Sequence, residues 1–102
     1  MYPTIESLRG MRPRITEIAL RYGVSNVRVF GSVARGTARE GSDVDLLVEF
    51  EPGQHVGMFG LSRMQIEISE ILGRTVDLRT AAELSRYFRA QVLDESRLLY
   101  AG

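Results

Sequence analysis

The sequence predicts an α+β fold, a two-layer arrangement in which helices pack on one small mixed β-sheet. Segments with helical spacing alternate with short strand-forming runs in the order helix, strand, short helix, strand, helix, strand, helix. Within the strand-forming runs, apolar and polar side chains alternate, so that each strand offers one face to a core. The length of 102 residues suits a single domain, spanning 1–102, whose core is modest and leaves little room for a second module.

The elements follow in order. Ile5, Leu8, Ile15, Ile18, Ala19 and Tyr22 keep a helical spacing, and Pro13 interrupts or restarts that helix because it has no N–H to donate; the segment ends at Gly23. Residues 27–30 are rich in β-formers and bounded by Asn26 and Gly31, which predicts a strand. A Gly/Ser stretch containing a short helix follows, then a second strand over 43–50 and a loop, EPGQHVG, over 51–57. Met58, Leu61, Met64, Ile68, Ile71 and Leu72 form a helical stripe, expected to face the core, that stops at Gly73. Residues 75–79 read as a third strand, the segment from Ala81 through Leu84, Tyr87, Phe88 and Val92 as a helix, and 98–100 as a short final strand.

Composition narrows the function. Thirteen Lys+Arg balance thirteen Asp+Glu, so no global basic field attracts nucleic acid or an anionic membrane, which argues against direct nucleic-acid binding. No apolar run approaches the roughly 20 residues that span a bilayer, and the N-terminal MYPTIESLRGMRPRI carries charge where a signal peptide needs a continuous apolar stretch. Cysteine is absent, which excludes disulfides and thiolate metal sites. A soluble, cytoplasmic protein is expected.

The chemistry-bearing stretch is VFGSVARGTAREGSDVDLLVEF, residues 29–50. On a strand, Asp43 and Asp45 project to the same side, about 7 Å apart at their Cα atoms, and Val44, Leu46, Val48 and Phe50 project to the other. In the third strand, Val76 and Leu78 oppose Asp77 in the same way. If the second and third strands are neighbours, three carboxylates converge, each pair at about 5 Å repelling by about 3 kcal/mol at an effective dielectric of about 20. Such a cluster calls for a cation, and oxygen-only ligands favour Mg²⁺ or Mn²⁺ over zinc. Gly31 and Ser32 leave a strand and enter a helix whose first N–H groups are unpaired, a suitable place for a phosphate. Taken singly, DVD reads first as two acids at a strand start, and Gly-Ser as a turn with Ser32 as a cap; it is their combination that points to a site. Ser42 can steady the turn into Asp43. Arg35 and Arg39 can touch a triphosphate or simply be solvated, and the lone His55 reads as an exposed loop residue. Tyr2, Tyr22, Tyr87 and Tyr100 are conceivable self-modification sites, with nothing to select among them.

Gly31-Ser32, ten intervening residues, then Asp43-Val44-Asp45 resembles the signature of the DNA polymerase β-like nucleotidyltransferase superfamily. Within it, the short length and the later Asp77 in GRTVDLRT look like the minimal nucleotidyltransferases, the MntA-type antitoxins; the likeness extends through LSRYFRAQVLDESRLLY. The resemblance implies a minimal nucleotidyltransferase fold, with Gly31, Ser32 and Ser42 at the nucleotide. It also implies that the catalytic residues Asp43, Asp45 and Asp77 hold two Mg²⁺ ions, one activating the acceptor hydroxyl and the other stabilising the departing pyrophosphate. It further implies an antitoxin of a type VII toxin–antitoxin pair that uses ATP to place AMP on a tyrosine of a HEPN-family ribonuclease toxin. A non-catalytic antitoxin that neutralises by binding, and a nucleotidyltransferase acting on a small molecule, remain the alternatives.

Overall fold

The computed structural model describes residues 3–54 and 56–101; the expectations for Tyr2 and His55 lie outside the described residues. The chain begins with two helices, α1 (Ile5–Gly10) and α2 (Arg12–Tyr22). Thr4 and Ser7 form a reciprocal cap at the start of α1, and Pro13 sits in the first turn of α2, where its missing N–H costs no intrahelical bond. The predicted interruption is therefore a junction at Met11, and α2 ends at Gly23 as expected.

Strand β1 (Val24–Phe30) runs directly into the short helix α3 (Gly31–Arg35), followed by β2 (Val44–Phe50), α4 (Met58–Leu72), β3 (Val76–Thr80), a 3₁₀ turn at Ala81–Glu83, α5 (Arg86–Glu95) and β4 (Arg97–Ala101). The sheet order is β3-β2-β1-β4, with β2 and β3 parallel and the other two pairings antiparallel. Strand β1 starts three residues earlier than its composition suggests. Ser25 and Asn26 are polar, but the Ser25 hydroxyl donates to the Glu49 carbonyl (3.0 Å) and the Asn26 amide to the Glu49 carboxylate (3.0 Å) across an irregular register.

One face of the sheet forms the core. Val27, Val29, Leu46, Val48, Val76, Leu78 and Leu99 pack with Leu8 of α1, Ile15, Ile18 and Ala19 of α2, and Met64 and Ile68 of α4. Fully burying each large aliphatic side chain contributes about 1.5–3 kcal/mol. Helix α4 has the predicted bounds and stops at Gly73, but Met58, expected to face the core, is 85% exposed; the buried stripe is centred on Met64 and Ile68.

Strand β3 is an edge, and α4 covers it. The N–H of Leu78 donates to the side-chain carbonyl of Gln65 (2.9 Å), and that of Val76 to the Ser69 hydroxyl (3.2 Å). Those bonds satisfy edge groups that would otherwise pair with another chain. After β3 the sequence reading departs furthest from the structure. Thr80 and Glu83 cap a 3₁₀ turn, Leu84 is extended, α5 starts only after Ser85, and none of its residues is buried. No helix among the described residues is long and apolar enough to cross a membrane.

Candidate active site

The site is assembled where β1 turns into α3 beside the parallel pair β2–β3. Phe30 is paired with Asp45, so Gly31 comes to lie against the Asp45 carboxylate. Its backbone has φ +70°, and a Cβ there would fall 2.2 Å from Asp45 Oδ2 and 3.1 Å from its Cγ. Both the left-handed conformation and the close approach therefore require glycine. The residue preceding α3 is Phe30, which supplies no side-chain cap, so Ser32 lies inside the helix rather than capping it. The Ser32 carbonyl accepts from the Thr37 N–H at 2.9 Å and closes the far end of the turn.

Parallel pairing of β2 with β3 puts Asp45 directly beside Asp77. Asp43, expected on the strand, lies one residue before it and is exposed; the ladder begins at Val44, whose N–H donates to the Thr75 carbonyl at 2.9 Å. Asp43 thus owes its position to the turn before β2 and not to strand alternation. Ser42 holds that turn: its hydroxyl accepts from the Arg39 N–H (2.8 Å) and its own N–H donates to the Arg39 carbonyl (2.9 Å).

The negative charge is only partly compensated. Burial first, then the charges of Asp77 and Asp43, raise the Asp45 carboxyl above the ordinary aspartate range, while Arg35 and Arg79 pull it down. Arg35 pairs with Glu95 of α5 (3.6 Å), and Arg79 grips Asp77 with Nε to Oδ1 at 3.1 Å and Nη2 to Oδ2 at 3.4 Å. Among the described residues, no three His, Asp or Glu side chains form a group poised to hold a metal. Of the three expected carboxylates, Asp45 and Asp77 are neighbours, Asp43 is within electrostatic range of Asp45, and both Asp77 oxygens accept hydrogen bonds from Arg79. The donor chemistry fits a hard divalent cation, since the donors are all oxygen and the acidic field at Asp45 is only partly compensated.

Sequence reasoning overlooked Arg79, although it shares the strand parity that identified Asp77. It also overlooked Gln65 and Ser69, which fix β3 from α4; their signal was a polar pair at helical spacing beside the core stripe. A cleft of about 240 Å³ opens beside Asp77 between the first turns of α4 and the end of β3, lined by Met58, Ser62, Gln65, Arg79 and Glu83 among others. A second pocket of about 380 Å³ lies by the C-terminal end of α3, with Arg9, Arg35 and Arg97 in its wall and none of the three aspartates.

The family model for the nucleotidyltransferase domain matches residues 12–99. Protein adenylyltransferase MntA of Thermococcus cleftensis is 37% identical over 79 residues, covering 78% of each chain. A solved structure assigned as a minimal nucleotidyltransferase is 41% identical with a TM-score of 0.78, over 93% of this chain and 95% of that one. The solved complex of a tri-AMPylated HEPN toxin with MNT antitoxin from Shewanella oneidensis contains a chain matching at TM-score 0.69 and 15% identity, over 93% of this chain and 73% of that one, a likeness of fold. With its mixed sheet, its glycine-opened helix after β1 and its aspartates at the β2–β3 edge, the chain belongs to the nucleotidyltransferase domain family and, within it, to the minimal nucleotidyltransferases.

Proposed function

We propose that the chain is an antitoxin that transfers AMP from ATP to a tyrosine hydroxyl of a HEPN-family ribonuclease and thereby neutralises it. The observation that carries this reading is the register pairing of Asp45 with Asp77, with Gly31 set hard against Asp45. A glycine-opened turn and two carboxylates thereby share one corner of the sheet, which supports the reading. The adenylyltransferase relative and the AMPylated toxin complex support the choice of AMP and of a HEPN acceptor.

In this reading the backbone at Gly31 and Ser32 receives the triphosphate, and Ser42 holds the turn that presents Asp43. Asp43, Asp45 and Asp77 would hold Mg²⁺, two ions by analogy with the superfamily, with Mn²⁺ as a substitute. When bound, the metal supplies charge neutralisation for the phosphates and acidifies the acceptor hydroxyl. The tyrosine oxygen would form a bond to the α-phosphorus as the bond to pyrophosphate breaks, pyrophosphate would depart, and the hydroxyl proton would pass to solvent. Asp77, at the sheet edge and beside the cleft, would hold the ion that activates the acceptor hydroxyl. Neutral overall charge suits a protein acceptor better than a nucleic acid.

The test is to incubate the purified protein and its toxin partner with α-labelled ATP and Mg²⁺. Label is expected on the toxin with the native protein and absent with Asp43→Asn or Asp45→Asn. Neutralisation by all versions without label would establish inhibition by binding, and labelled metabolite without labelled protein would establish a small-molecule acceptor.

A further inference from the structure

The pairing of Asp77 with Arg79 is at odds with a metal-holding role for Asp77 as the side chains stand. Both oxygens of this carboxylate accept hydrogen bonds from the guanidinium two residues along the same strand. The same guanidinium also acts on Asp45, one strand further in. A divalent ion that takes the remaining lone pairs of this carboxylate would sit beside the guanidinium charge, which opposes its binding for as long as Arg79 stays in place.

Resting on the adenylyltransferase reading above, we propose that Arg79 is a built-in counter-cation that occupies Asp77 until a divalent ion displaces it, making Arg79 the positioning residue that sets the threshold for metal binding. Three observations support it. Asp45 and Asp77 are paired across parallel strands, where two unscreened carboxylates repel, and Arg79 is hydrogen-bonded to the Asp77 member of that pair. The released guanidinium has somewhere to go: Arg79 and Glu83 both line the cleft beside Asp77, and the Glu83 carboxylate is already fixed there by the Thr80 N–H (2.9 Å) and hydroxyl (3.1 Å). The pair is also about half exposed, so that an ion can reach it and the exchange is between contacts of modest strength. Arg79 thereby keeps the nucleotide-free protein from carrying an unscreened acidic corner, and frees Asp77 when the metal arrives.

The test is Mn²⁺ binding to the nucleotide-free protein, read by the loss of the free Mn²⁺ paramagnetic resonance signal, in the native protein, Arg79→Met and Arg79→Lys. Arg79→Met keeps the apolar stem and removes the charge. Its Mn²⁺ affinity is expected to rise about three- to tenfold, with a lower melting temperature in chelator and a larger upward shift on adding Mn²⁺. Arg79→Lys restores the charge without the planar fork and should fall between the two. In an Asp77→Asn background, removing Arg79 should raise the affinity by less than it does in the native protein, because only its action on Asp45 is then relieved; an equal gain in both backgrounds overturns the inference. Equal or weaker Mn²⁺ binding by Arg79→Met than by the native protein overturns the inference. Circular dichroism of each variant separates loss of fold from loss of affinity. The transfer reading stands or falls separately, on whether the native protein labels an acceptor at all.

Discussion

The two faces of β2 and β3 are built from the same residues in alternation and obey opposite rules. On one face Val44, Leu46, Val48, Val76 and Leu78 are buried against α2 and α4, and every contact supports its neighbours. On the other, Asp45 and Asp77 stand side by side, raising the proton affinity of Asp45, and depend on Arg79 and Arg35 for relief. The first face is self-sufficient, whereas the second is stable only in the company of cations. In the proposed reading, a site for a metal and a triphosphate is built by leaving a charge imbalance on one side of a sheet and securing it with the core on the other. Leu47 marks the boundary: it lies on the acidic side, yet is buried between Arg28 of β1 and Arg79 of β3. Long cationic side chains flanking it are suited to cover an apolar neighbour with their stems.

The two faces should differ most in what a truncation on the core side costs. Leu46→Ala removes a completely buried side chain between two polar-facing neighbours and should cost about 2–5 kcal/mol, read as a lowered denaturant midpoint. Asp45→Asn, one residue away, should leave the midpoint of the metal-free protein unchanged or raised while abolishing transfer. Equal destabilisation by the two would mean that the faces are not energetically distinct.

Smaller, and aimed at the junction of the two faces, is Gly31→Ala. Gly36, which ends α3 at φ +75°, provides the control, because a Cβ there meets nothing within 4 Å. Gly36→Ala should cost about 1–2 kcal/mol from the left-handed backbone alone. Gly31→Ala carries the same backbone cost and also drives a methyl into the Asp45 carboxylate, so it should cost more and impair transfer out of proportion. Thermal unfolding and labelling assays on both variants check this; matching behaviour would show that the approach of Gly31 to Asp45 is incidental.

What could be read from the sequence follows the same division. Periodicity located α4 to the residue at both ends, since its buried stripe and Gly73 act locally. The apolar face of β2 and β3 was equally plain from alternation. Asp43 was misplaced by one residue because a turn held by Ser42, and not a strand, presents it. Helix α5 was drawn too long at its start: Leu84, Tyr87, Phe88 and Val92 have helical spacing, yet none is buried, and a cap at Ser85 sets the boundary instead. The state of the carboxylates was hidden for a different reason. Whether Asp77 faces an ion or Arg79 depends on side-chain rotamers and parallel register, neither of which a strand's alternation encodes.

The smallest effect concerns pH and isolates the acidic face alone. Because the folded-state pKa of Asp45 is raised, the folded protein binds more protons at this group than the unfolded chain between the two values. Stability from Asp45 is therefore greatest at low pH and declines as pH rises from the ordinary aspartate range through the raised value. Asparagine at this position cannot ionise, so the melting temperature of Asp45→Asn relative to native, in chelator, should climb across that window and then level off. Adding Mg²⁺ should oppose the trend, since the ion binds the ionised carboxylate and only in the folded state. A difference that stays flat with pH in chelator would remove the charge imbalance on which the contrast between the two faces rests.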